Sequence, residues 1–119
     1  MQNDVDLDQV ALDRLQRLGG VRLLHEMLEL FLQHAPARIE AAQAAHREGD
    51  CRGVEQAVHS LKSSAGNVGA GTIQNLAETI ERLAEKSQGE QIGCFLLDLQ
   101  TAWERLEPLL RQKNEGLDP

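Results

Sequence analysis

The sequence predicts an all-α domain, an antiparallel up-down four-helix bundle with an additional short N-terminal helix. Three observations carry that prediction. Apolar residues recur at the three-to-four spacing of a helical face along most of the 119 residues. No stretch alternates with period two, Tyr is absent, and the aromatics are Phe31, Phe95 and Trp103, so strands lack their usual residues. The glycine-containing breaks between the periodic stretches are short, and short links force neighbouring helices to reverse direction.

The first helix is expected from about Leu7 to Leu18, with Leu7, Val10, Leu15 and Leu18 as its apolar residues and Gly19-Gly20 as its stop. It would close one end of the bundle. A second helix follows from about Val21 to Glu48, carrying Leu24, Met27, Leu28, Phe31, Ile39 and Ala42. Pro36 should kink it, because proline removes a backbone donor and crowds the preceding turn. Gly49 ends this helix and Asp50 caps the next, from about Cys51 to Val68. Beyond Gly69-Ala70-Gly71, Thr72 is placed to cap a helix striped by Ile73, Leu76, Ala77, Ile80, Leu83 and Ala84. Ser87-Gln88-Gly89 turns the chain into a last helix, from about Glu90 to Gln112, that Pro108 interrupts or bends. The tail from Asn114 to Pro119 is expected to fray, most of all at 117–119, with the domain proper spanning 1–116.

Composition narrows the function. A chain of this length forms one domain with a single core. The net charge of −7 and the scatter of the 12 Lys and Arg leave no basic stripe to release counterions, so neither nucleic acid nor an anionic membrane is an expected partner. No apolar run approaches the length of a bilayer span and no signal-peptide pattern opens the chain, so a cytoplasmic protein is expected. Cys51 and Cys94 stand far apart outside any Cys-x-x-Cys and read as two buried, reduced thiols. No glycine-rich phosphate loop follows a strand, so ATP binding by that route is excluded.

The chemistry concentrates in the helix around His59. Val54, Val58, Leu61, Ala65 and Val68 fall within about 40° of one line on a helical wheel and make a buried stripe. His59 lies about 140° from that stripe, with Lys62, Ser63 and Gly66 beside it on the wet face. An imidazole next to an ammonium and flanked by small residues is suited to carrying an anionic group. His25, His34 and His46 lack such a setting and read as surface or boundary residues. Glu55 with His59, and His25 with Glu29, are four apart, but a di-metal bundle needs paired Glu-x-x-His units; no metal and no cofactor are expected on this chain.

His59, Leu61, Lys62, Gly66 and Gly69 match, in register, the signature of the histidine-containing phosphotransfer (HPt) domain, and the chain resembles that family over most of its length. Ser63 is a departure, standing where the family usually has Gly; serine is small enough to keep the ring accessible, and its hydroxyl adds a donor. The resemblance implies a phosphocarrier, not an enzyme, in which His59 accepts a phosphoryl group from a receiver-domain aspartyl phosphate and passes it to another receiver. Lys62 would offset charge on the phosphoryl oxygens. The family's orienting Gln or Glu falls on Glu81, which would accept from Nδ1–H and leave Nε2 free. Ser63 and Gly66 would lie in the docking surface. The implied partners are response-regulator receiver domains, which supply Mg²⁺, and a hybrid sensor histidine kinase, with the carrier itself a monomer. Two other readings stand beside this one: the phosphotransfer domain of a larger hybrid or chemotaxis-type kinase, and a helical adaptor with a decayed motif.

Overall fold

A computed structural model describes residues 7–117, which form four helices: α1 (Gln9–Arg47), α2 (Cys51–Val68), α3 (Gly71–Glu85) and α4 (Gly89–Glu115). α1 packs on α2, α2 on α3, α3 on α4, and α4 returns to α1, so the helices surround one core in chain order. The links are short, and successive helices run antiparallel. This is the expected bundle.

The stripes read from the sequence face that core. Val54, Val58, Leu61, Ala65 and Val68 are buried from α2, Ile73, Ala77, Ile80 and Ala84 from α3, and Ile92, Leu96, Leu99, Leu106 and Leu110 from α4. Phe31 meets Trp103 edge-to-face, with ring centroids 5.6 Å apart, and so joins α1 to α4. α2 has the expected bounds because both of its ends are locally encoded. The Asp50 carboxylate accepts from the Gly53 N–H at 2.9 Å, and Gly69 closes the helix at φ 76°, a left-handed conformation that costs glycine little.

The two expected N-terminal helices are one element with a break in it. Gly20, at φ 75° and ψ −172°, is non-helical within α1 and redirects the segment before it. That segment closes the end of the bundle: the Asp8 N–H donates to the Gly69 carbonyl at 2.6 Å, and Ala11, Leu12 and Leu15 are buried. Val10 and Leu18, expected on the apolar face, are exposed instead. Val10 points away from the Ala11–Leu12–Leu15 face, and Leu18 stands two residues before the break.

Helical dihedrals continue through Pro36, the non-helical residue of α1 being Gly20, and α4 runs uninterrupted past Pro108 to Glu115. Three other expectations are corrected. Thr72 is not the cap of α3, which begins one residue earlier, after Ala70, with no side-chain capping bond. Cys51 is half-buried and Cys94 is exposed, because Cys94 falls outside the Ile92–Leu96–Leu99 stripe; both thiols are free. Asn114 is buried and donates to the Glu29 carboxylate at 2.7 Å, which fastens the end of α4 to α1. Leu117 packs half-buried against the core, while 118–119 lie outside the described residues.

Candidate functional site

α2 presents His59 to solvent while α3 lies along one edge of it. The imidazole is 63% exposed, whereas Leu61, two residues on and about 200° around the helix, is fully buried. The apolar face of α3 carries Ile80 into the core, and the next residue, Glu81, is thereby drawn beneath the edge of α2. Its side chain is only 11% exposed. A buried carboxylate needs partners, and this one has two: Oε2 lies 2.6 Å from His59 Nδ1, and Oε1 accepts from Lys62 Nζ at 2.7 Å. Two side chains one helical turn apart on α2 thus grip the two oxygens of one carboxylate on α3.

The electrostatics follow from that grip. Burial pushes the Glu81 carboxyl up, but the hydrogen bonds from Lys62 and His59 outweigh it and hold the group below the ordinary glutamate range. The hydrogen bond to Glu81 raises the Lys62 ammonium above the ordinary lysine range. Glu81 is therefore ionised at neutral pH. An ionised carboxylate only accepts hydrogen bonds, so in the neutral imidazole Nδ1 carries the proton and Nε2 presents its lone pair to solvent.

The pair sets a pH dependence of known sign. Because the folded-state value of Glu81 is lowered, its contribution to stability is present above the ordinary carboxylate range and is lost as pH falls through the lowered value. The share of Lys62, whose value is raised, is fully present below the ordinary lysine range and is lost as pH rises through the raised value. Thermal melts should accordingly show Glu81→Gln less stable than the parent at neutral pH, with the gap closing in acid. A gap that stayed constant down to strongly acid pH would mean that the Glu81 charge plays no part.

Glu55 and Glu85 stand beside Glu81, with carboxylate oxygens of all three within 4.8 Å of one another, and among the described residues these are the ones that could hold a cation. Both oxygens of Glu81 are already engaged by His59 and Lys62. On the other edge of the open face, Met27, Leu30, Phe31 and His34 of α1 border a shallow cleft with Ser64 and Asn67. Ser63 is exposed on the same face as His59. Gly66 is half-buried, because the side chain of Gln74 crosses over it from α3. The sequence reading missed Gln74: no spacing signal places it there, and only the turn between α2 and α3 does.

A helical bundle that holds one exposed imidazole in a fixed tautomer over an ionised carboxylate has the architecture of a histidine phosphocarrier. The family model of the Hpt domain matches residues 26–114, and the chain belongs to that family, the histidine phosphotransfer domains of two-component phosphorelays. A segment of the sensor protein TorS of Escherichia coli (strain K12) is 32% identical over 82 residues; the match covers 69% of this chain and 9% of TorS. The fold is that of histidine-containing phosphotransfer protein B (HptB) from Pseudomonas aeruginosa PAO1, with a TM-score of 0.90 at 19% identity over 96% of this chain and 98% of that one. The HPT domain from a Shewanella sensor hybrid histidine kinase is also similar, with a TM-score of 0.84 at 23% identity over 98% and 100% of the two chains.

Proposed function

We propose that this chain carries a phosphoryl group on Nε2 of His59, taking it from the aspartyl phosphate of one receiver domain and delivering it to the aspartate of another. The observation that carries this reading is the Nδ1–Glu81 hydrogen bond beneath an imidazole open to solvent. In the forward step the Nε2 lone pair forms the N–P bond while the acyl-phosphate P–O bond breaks and its electron pair returns to the aspartyl carboxylate. The ring keeps its Nδ1 proton, so positive charge grows on the imidazole. The carboxylate of Glu81, fixed beside that proton, offsets it without reorganising. Delivery to the second receiver is the same path reversed.

Lys62 contributes in two ways in this scheme. Its bond to Glu81 keeps the carboxylate ionised and in place, and its ammonium, one turn from the ring, can act as a point charge toward the phosphoryl oxygens. The partner supplies Mg²⁺ at its aspartate. Phosphoryl groups enter from a hybrid sensor histidine kinase by way of its receiver. The chain acts as a cytoplasmic monomer with no kinase activity of its own, and no helix among the described residues is long and apolar enough to cross a membrane. The test is incubation with a receiver domain charged by acetyl phosphate, which should leave an acid-labile, base-stable label on the chain; a chain that stays unlabelled refutes the reading.

The receiver docks on the open face of α2, around Ser63 and Gly66 and along the apolar border made by Met27 and Leu30. The contact is transient and at the small end of interface sizes, since the carrier must leave one partner for the next. Gly66→Arg is expected to block transfer in a protein that still folds, Ser63→Gly to be tolerated, and Lys62→Ala to slow transfer without abolishing it. Transfer time courses with circular dichroism as the fold control check all three. Normal transfer by a folded Gly66→Arg variant would put the receiver on another face.

A further inference from the structure

The α2–α3 turn fixes a polar group on the docking face that nothing in the helix pattern announces. A β-carbon built on Gly66 would lie 2.7 Å from Nε2 of Gln74 and 3.3 Å from its Cδ. The amide therefore occupies the space directly over the Gly66 backbone, where any other residue would place its side chain. Gly66 is seven residues, two helical turns, from His59, so the amide lies on the same face as the phosphoryl acceptor. Its backbone is held firmly, because Gln74 sits in the first turn of α3, with its N–H bonded to the Ala70 carbonyl at 2.9 Å and the Gly71 N–H bonded to the Gly69 carbonyl at 3.0 Å.

The amide is also uncommitted. Lys62 and His59 are both spent on Glu81, but the Gln74 side chain makes no hydrogen bond among the described residues and is only half-buried. A primary amide offers two donors and an acceptor, and so can bond to both the N–H and the C=O groups of a partner's backbone. Resting on the docking face argued above, we infer that Gln74 is a specificity-determining residue for the receiver domain, and that Gly66 is glycine in order to berth its amide. Gly66 then has a task beyond leaving the imidazole accessible: even one methyl group there displaces Gln74.

The test compares Gln74→Ala, Gly66→Ala, the double variant and Ser63→Arg. Transfer is followed from a receiver domain charged with acetyl phosphate, over a range of receiver concentrations, and direct phosphorylation by phosphoramidate runs alongside as a donor too small to dock. Gln74→Ala should raise the receiver concentration at half-maximal rate roughly three- to tenfold, the loss of about one hydrogen bond. The saturating rate, the phosphoramidate rate and the melting temperature should stay put. Gly66→Ala should produce a shift of the same size, and the double variant should add nothing to either alone, because both changes remove one contact. An unchanged half-saturation in Gln74→Ala, with Ser63→Arg blocking transfer, would overturn the inference and leave the docking face standing. A fall in the phosphoramidate rate or the melting temperature of Gln74→Ala would also overturn it, by placing the residue in the fold or the acceptor site. Unimpaired transfer by Ser63→Arg would remove the docking face and the inference together.

Discussion

Replacing His59 by Gln is expected to abolish phosphorylation outright, both from a charged receiver and from phosphoramidate. Glutamine keeps a polar side chain of similar reach and can still hydrogen-bond to Glu81, so the local structure should survive. What is lost is the nucleophile: an amide nitrogen has no lone pair in play, and no other group at this position can form the N–P bond. His25, His34 and His46 do not substitute, since among the described residues none is held by a carboxylate that an ammonium also grips, as His59 is by Glu81. Autoradiography after an acid and a base wash is the check. An acid-labile, base-stable label retained by the His59→Gln protein would place the acceptor elsewhere.

The largest effect on stability should come from Leu61→Ala. Leu61 is 1% exposed and belongs to the core, so truncation removes buried methyl groups and leaves a cavity that the surrounding helices fill only in part. Substitutions of this kind cost roughly 2–5 kcal/mol. His59→Ala, two residues away, should stay within about ±0.5 kcal/mol, because its ring is mostly in water and Glu81 keeps Lys62 as a partner. The contrast is sharper than either number. One variant should melt early yet transfer normally while folded, and the other should melt like the parent and transfer nothing. Chemical denaturation of the two variants beside the parent measures it, and a more damaging His59→Ala would mean that the helix faces have been exchanged.

The bundle was legible in the sequence because its signals are local. Asp50 and Gly69 mark the ends of α2 within a residue or two of their own positions, and the Val54–Val58–Leu61–Ala65–Val68 stripe fixes which face turns inward, hence that His59 turns outward. Where the reading slipped, the deciding contact came from elsewhere in the chain. Asn114 looked like a tail residue, but Glu29, 85 positions earlier, gives it a hydrogen bond and the core gives it cover. Glu81 was reached through the resemblance of the motif. Its shared bond with Lys62 was not, since that depends on how α3 is rotated against α2 and not on any spacing within one helix. Gln74 is the same case carried further, because it meets Gly66 only through the geometry of the turn.

The central claim is that Glu81 holds Nδ1 of His59 so that Nε2 takes the phosphoryl group. Nitrogen-15 correlation spectra of the ¹⁵N-labelled protein after phosphorylation test it directly, because the couplings of the ring protons distinguish the two nitrogens and assign the modified residue. A single phosphohistidine is expected, at His59, with phosphorus on Nε2 and the proton retained on Nδ1. Phosphorus on Nδ1 of His59, or on any other histidine, would contradict it.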